Sequence, residues 1–421
     1  MLVQSRSQTQ SSVVDSSKPK IDYDVVIVGG GIVGATLACG LKDSGLKITI
    51  IESQQPEVAI SKKQAYALTL QTGRILKSIG VWDEIVTKIT TFYQINLSDS
   101  DYHRVVQFMC QDLGTDQLGY VGEHGIILSA MYEFLSQCPN ISWQCPASLK
   151  NVNYHPDYVE VEIENQGDLN TFYGKIIVAA DGSKSRLREE AGIKTHGWKY
   201  WQSCIAMTIK TEKSHQNIAF ERFWPSGPMG VLPLPGNRCQ VVWTAPHAEA
   251  QALKELDETE FLKLLEYRTG GLLGKLELLS DRYVYPVQLM QSDRYIQHRL
   301  ALVGDAAHCC HPVGGQGLNM GIRDGGALAE VLKTATQKGE DIGQKRVLKR
   351  YEGWRQKENL IVLGLTDFLD RTFSGNWTLK VGLRRLGLGV LTKVQIFRYL
   401  ALRLMTGLIG RAPKLNPEIY G

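Results

Sequence analysis

Gly29, Gly31 and Gly34 fall in a G-x-G-x-x-G spacing between a β-branched run, IDYDVVIV, and a stretch of small residues, ATLACGLKDSG. In such a turn the first glycine permits the reversal, the second lets the backbone approach a pyrophosphate, and the third lets helix and strand pack closely. The free N–H groups that open a helix then favour the phosphate charge. Glu52 ends the next β-rich run, KITIIE, where a carboxylate can accept hydrogen bonds from both hydroxyls of an adenosine ribose. The same charge repels a 2′-phosphate and argues against NADP at this position. A glycine-rich loop can also serve packing alone, but strand, turn, helix, second strand and terminal acid in one unit point to a dinucleotide. These residues leave FAD and NAD both open.

A second turn, GDAAHCCHPVGGQGLNMGIRDGGALAE, begins at Gly304 and again joins a continuous apolar run, Leu300 to Val303, to a helical pattern. Its glycines include Gly315 and Gly317. One elongated dinucleotide gripped at both ends explains two such turns more economically than two small ligands, which favours FAD. Asp305 can bind a ribityl or phosphate-linking hydroxyl, the alternative being a helix-cap aspartate. The helix expected near Leu318 and Asn319 presents its positive end to the ring, and a reduced flavin is an anion. His308 reads as a packed or hydrogen-bonded histidine in preference to a catalytic base. Adjacent Cys309 and Cys310 read as buried small residues in preference to a redox pair. A third element, IIVAADGSKSRLRE, ends a strand at Asp181-Gly182 followed by Ser185 and Arg188; turn chemistry alone would account for Asp-Gly, and Asp181, Gly182 and Arg188 join the candidate cofactor residues.

The elements that must carry these turns can be read from period changes. Residues 21 to 52 have the order and length of a βαβ crossover, so a mainly parallel sheet is predicted. Residues 64 to 82 place Leu68, Ile75, Leu76 and Ile79 at helical intervals; helical spacing returns around Ile126 to Leu135. Strands are expected through Ile95 to Met109 and Ile141 to Val178. Between about Trp198 and Pro286 alternating strands and Pro- and Gly-rich turns indicate an antiparallel domain. The predicted class is therefore α/β with an α+β second domain. A Rossmann-type FAD-binding domain (21–95, 119–197, 286–350) carries an inserted antiparallel-sheet substrate domain (96–118, 198–285), and a helical C-terminal region follows (351–421).

The bulk numbers exclude several classes. At 43% hydrophobic and 21% charged residues the chain reads as globular, and a net charge of +4 without basic blocks interleaved with aromatics argues against nucleic acid. The eight cysteines form no CxxC pair, which argues against a metal site and fits a reducing compartment. Residues 1 to 20 lack an apolar core and read as a disordered tail, with a transit peptide as the weaker alternative. No apolar run is long enough to span a bilayer.

Together the three motifs, in this order and at these separations, resemble those of the class A flavoprotein hydroxylases, whose fold is that of para-hydroxybenzoate hydroxylase. Within that class, AFERFWPSGPMGVLPLP from Ala219, VVWT from Val241, and ALVGDAAH followed by HPVGGQGLNMGIRD resemble the branch that hydroxylates ubiquinone precursors. The resemblance runs from Ile21 to about Gly389. It implies tightly bound FAD, transient NAD(P)H docking partly through Asp181-Gly182, and O2 as co-substrate. It makes Gly315 and Gly317 backbone neighbours of the flavin ring, puts Pro312 on the ring's face, and places Phe223 and Pro233 at the substrate pocket. Gln64 and His124 depart from the family pattern, where arginine and asparagine are common. The expected activity is hydroxylation of a prenylated phenol or quinone precursor. The alternatives are an epoxidase or desaturase of an isoprenoid lipid, and a quinone-binding flavoprotein without oxygen transfer.

Residues 377 to 414 contain no acidic residue, and basic residues from Lys380 to Lys414 are spread among Leu, Val, Ile and Phe. This basic amphipathic stretch can lie on an anionic membrane and admit a lipid-tailed substrate, or can simply pack on the first domain. The sequence thus reads as a cytoplasmic protein, with peripheral membrane attachment and association with other quinone-biosynthesis proteins as the further expected partners.

Overall fold

Val25, Val26 and Ile27 are fully buried, as befits the central strand of a mainly parallel sheet with neither face open to solvent. The computed structural model describes residues 19–99, 102–374 and 387–416. The strand Tyr23–Val28 pairs in parallel with Ile48–Ile51 on one side and with Asp168–Ala179 on the other. Leu300–Leu302 and Ile141–Gln144 extend the sheet outward. A hairpin closed between Asn165 and Asp168 carries two further antiparallel strands, Val159–Asn165 and Ser148–Tyr154.

A second, mostly antiparallel sheet has nine strands among the described residues, with the long Thr195–Thr211 between Arg238–Pro246 and Tyr283–Ser292. Gln94–Asp99 joins it in parallel to Ile218–Trp224. Sheet membership therefore runs past the sequence-based division at 285, because Thr195–Thr211 pairs along nearly all of Tyr283–Ser292 and that strand in turn pairs with His308–Cys309. A three-stranded sheet of Ala65–Thr69, Gly119–Glu123 and Thr90–Phe92 lies in the segments between.

The helix expected over residues 64 to 82 is a strand followed by a helix. Ala65–Thr69 pairs with Gly119–Glu123, and the helix Leu70–Ser78 starts only at Thr69, whose hydroxyl accepts from the Thr72 N–H. Leu68 fits a helical interval yet belongs to the strand, since a sequence-distant pairing partner overrides local periodicity. Long helices follow the late glycines: Gln316–Gln337, Lys345–Phe373 and, further on, Gln395–Met405. The expected N-terminal tail, apart from residues 19 and 20, lies outside the described residues, as do Lys380, Arg384 and Arg385 of the basic stretch.

Candidate active site

At the end of Tyr23–Val28 the chain turns through Gly29, whose φ of 107° favours glycine. A Cβ on Gly29 would sit 2.3 Å from the Ala180 carbonyl oxygen, and one on Gly34 would sit 2.0 Å from that of Gly29. The helix Ile32–Gly40 is thus pressed directly onto the sheet. Gly31 is different: a Cβ there would meet nothing within 4 Å. Gly31 is also the N-cap, and no side chain caps this helix, so its first N–H groups open onto free space. Glu52 borders that space, oriented by the N–H of Gly30 to Oε2 and of Gln54 to Oε1, both at 2.8 Å.

The late turn packs against the same helix. A Cβ on Gly304 would lie 3.1 Å from Val33, and one on Gly321 2.6 Å from it. Asp305 is open to the cleft yet enclosed by protein, and burial raises its carboxyl pKa, with His308 opposing. Gly314 and Gly315 both take positive φ, 71° and 60°, and deliver the N-terminus of Gln316–Gln337 to the cleft.

Asn319 locks this turn in place. Its Oδ1 accepts from the Thr69 N–H at 2.9 Å and from the Thr72 hydroxyl at 2.6 Å, while its amide donates to the carbonyls of Ala67 and Gly315. With all four bonds made inside the protein, the Asn319 side chain shapes the cofactor turn and leaves only its backbone for a ligand. Leu318 packs on the main core, and the nearest group to a Cβ on Gly317 would be the Cys310 sulfur at 3.7 Å. The rim on the cavity side consists of Pro312, Val313, Gly314, Gly315 and Gln316.

Asp181 follows Asp168–Ala179. Its buried Oδ1 has no hydrogen-bond donor among the described residues, and burial raises its carboxyl pKa, with the Ser185 hydrogen bond opposing. Ser185 caps the short helix Arg186–Glu190. Arg188 is turned inward, donating to the Ala306 carbonyl at 3.1 Å and the Ser183 carbonyl at 3.0 Å. Its guanidinium ties the Asp181 loop to the Asp305 loop, so Arg188 positions both loops.

His308 is buried and donates to Asp324 at 2.6 Å, consistent with a packed, hydrogen-bonded role. Burial pushes the Cys310 thiol up to about 12, and all eight cysteines are free. Gln64 and His124 meet through Tyr66, whose hydroxyl lies 3.1 Å from Gln64 Oε1 and 3.2 Å from His124 Nδ1. Burial, then the charge of Lys62, lowers His124 to about 4, so the His124 ring is uncharged at physiological pH.

Beyond the rim lies a cavity of about 240 Å³, enclosed by the second sheet, the helices Lys345–Phe373 and Gln395–Met405, and Leu388 and Leu391. Phe223 lines it and stacks on Phe373 at 3.9 Å between ring centroids. Pro233 does not line it. On the strand Gly227–Leu234 the lining residues are Pro228, Gly230 and Leu232, and the two-residue alternation of a strand turns Pro233 to the other face. Sequence reasoning passed over Glu221, which lies in the quoted AFERFW segment and is the one ionisable side chain on the cavity wall among the described residues.

A flavin dinucleotide suits these residues on structural grounds. One helix start is uncapped and open, a carboxylate is oriented beside it, the Asp181 oxygen is buried without a donor, and a glycine rim faces an apolar chamber.

Comparison with known proteins agrees. The family described as "FAD binding domain" matches residues 22–358. The chain is 52% identical over 393 residues to an uncharacterized protein of Synechocystis sp., covering 93% of this chain and 95% of that one. It is 35% identical over 398 residues to the ubiquinone hydroxylase UbiL of Rhodospirillum rubrum, covering 94% and 91%. The 3-demethoxyubiquinol 3-hydroxylase of Escherichia coli is 31% identical over 390 residues, covering 91% and 98%. Among solved structures, p-nitrophenol 4-monooxygenase of Pseudomonas putida shares the fold at a TM-score of 0.78 and 21% identity, over 92% of this chain and 98% of that one. With its cleft built for a two-ended nucleotide and its sequence matched along most of its length, the chain belongs to the FAD-binding domain family and is an FAD-dependent monooxygenase.

Proposed function

We propose that this enzyme hydroxylates the aromatic ring of a prenylated phenol or quinone precursor, with NAD(P)H as reductant and O2 as co-substrate. The observation that carries the reading is the chamber beyond the glycine rim: its walls are almost wholly apolar and come from both the sheet and the C-terminal helices. The names of the Rhodospirillum and Escherichia relatives, both quinone-ring hydroxylases, support the same substrate class.

FAD, when bound, supplies electron transfer and oxygen activation. Around it the chain's own residues divide the work. Gly31 and the open helix start take the pyrophosphate, and Glu52 takes the ribose hydroxyls. Asp305 and the Asp181 oxygen accept hydroxyls toward the middle of the cofactor. The N-terminus of Gln316–Gln337 offers N–H groups and a positive dipole to the ring end. The apolar walls exclude water from the reacting atoms and orient the ring by its tail.

A membrane route for the substrate fits the helix Gln395–Met405. Ala401, Leu404 and Met405 face the cavity, whereas Ile396, Phe397 and Leu400 are exposed. No helix among the described residues is long and apolar enough to cross a membrane. An amphipathic helix lying on the surface meets the same need.

The test is NAD(P)H oxidation by the purified holoenzyme with a panel of prenyl phenols under labelled O2, with mass detection of product. Substrate-stimulated oxidation with one labelled oxygen added to the ring is expected. Turnover of isoprenoid olefins but not phenols would instead make the enzyme an epoxidase, and bound FAD without stimulated oxidation would make it a quinone-binding flavoprotein.

A further inference from the structure

Among the residues that wall the cavity, Glu221 stands alone as an ionisable side chain, and it makes no hydrogen bond or ion pair among the described residues. Its strand, Ile218–Trp224, places it opposite Gly230 on one side and Leu97 on the other. Gly230 leaves room for the carboxyl: a Cβ there would come within 3.3 Å of Glu221 Oε2. On the sheet, the other ionisable groups near this face are Asp99, two residues along the neighbouring strand, and Cys204, whose thiol burial pushes up to about 12. Tyr285, paired with Cys204, is likewise raised by burial. Lys345–Phe373 and Gln395–Met405 turn only uncharged residues to the cavity; Asp367 and Asp370 bond Tyr200 and Ser374, and Arg398 pairs with Asp112.

A carboxylate held in an apolar chamber without a partner costs folding free energy and is retained where a ligand supplies the partner. We propose that Glu221 is the residue that accepts the hydroxyl proton of the phenolic substrate. This assignment rests on the reading that the chamber takes a prenylated phenol. The O–H bond of the phenol breaks, an O–H bond forms on the Glu221 carboxylate, and the electron pair stays on the phenolic oxygen. That charge spreads to the ortho and para ring carbons and makes them the nucleophilic positions an aromatic hydroxylation needs. Burial raises the Glu221 carboxyl to about 8, which makes it a far better match for a phenol than an ordinary carboxylate. A raised value leaves the basic form dominant above about pH 8, so proton acceptance strengthens as pH rises through that point.

The experiment compares 2-prenylphenol with its methyl ether, titrated into the holoenzyme and followed by perturbation of the flavin spectrum between mildly acidic and alkaline pH. A phenolate band in the difference spectrum reports ionisation of the bound ligand directly. The wild type is expected to prefer the phenol by about tenfold or more above pH 8, to show the phenolate band, and to lose both as pH falls. Glu221→Gln keeps size and polarity, so it should retain flavin and melting temperature, yet bind phenol and ether alike without the band. Glu221→Asp should restore part of the preference. Survival of the band and the preference in a fully flavinylated Glu221→Gln enzyme overturns the proposal. Failure of the wild type to bind either ligand overturns the substrate reading itself, and the assignment with it.

Discussion

His308 Nε2 donates to Asp324 Oδ2 at 2.6 Å, and the same carboxylate receives the Gly304 N–H at 3.1 Å, Arg355 Nε at 2.8 Å and the Asn359 amide at 3.0 Å. Asp324 therefore fixes the start of the late turn from beneath. Burial alone would raise its carboxyl, but His308 and Arg355 outweigh that and hold it well below the usual carboxylate range.

Asp324→Asn should destabilise the fold by about 1–3 kcal/mol, because the buried Arg355 keeps only Glu358 of its two carboxylate partners and His308 loses its charged acceptor. Thermal unfolding and flavin retention check this. A lowered folded-state value also sets a direction in pH. The stabilisation from ionised Asp324 is complete above the unfolded carboxyl value of about 4 and fades as pH falls below it. Melting temperature should hold steady through neutral pH and drop in the acid range, and the drop should be smaller in Asp324→Asn.

Gly31 and Gly34 should behave oppositely. A methyl group on Gly34 meets the Gly29 carbonyl at 2.0 Å, so Gly34→Ala forces the first helix off the sheet. It should lower stability by about 1–3 kcal/mol and reduce flavin content. Gly31→Ala meets no protein atom. It should fold with an unchanged apoprotein melting temperature yet bind FAD more weakly, because the added methyl enters the space proposed above for the pyrophosphate. Melting temperature of the apoprotein against flavin affinity separates the two.

Leu232 and Pro233 test which face of their strand meets substrate. Leu232→Trp should fill the chamber and raise KM for a prenyl phenol by about tenfold or more. Pro233→Ala should leave KM within about twofold, since position 233 does not line the cavity. Steady-state kinetics with one substrate distinguish them.

The double variant Ile396→Asp, Phe397→Asp alters two exposed apolar side chains outside the chamber. It should abolish flotation with anionic liposomes while keeping turnover of a short-tailed phenol in detergent. Unchanged flotation removes Gln395–Met405 from the membrane route.

The first glycine turn was legible because its chemistry is local: strand, reversal, helix and acid follow one another within one βαβ unit. The late turn was legible for the same reason, down to Gly314 and Gly315. What local pattern does not carry is the identity of a residue's distant neighbours. Asn319 was expected at the start of the ring-end helix, but nothing local showed that its side chain bonds Thr69, Thr72, Ala67 and Gly315. Leu68 fitted a helical period and sits in a strand, since Gly119–Glu123 is there to pair with it. Glu221 escaped notice because a carboxylate in an alternating strand reads as the solvent face. Helices far along the chain cover that face and turn an ordinary surface acid into the one ionisable group, among the described residues, of an apolar chamber.

The bond between the Thr69 N–H and Asn319 joins residues 250 positions apart. On the ribosome, the early glycine turn emerges long before the segment that completes its cleft. The nascent chain can assemble its first βαβ unit, yet it has no grip on the far end of the nucleotide until the late turn leaves the exit tunnel. The two-ended grip proposed for the flavin therefore cannot close before the chain has been extended through Asn319.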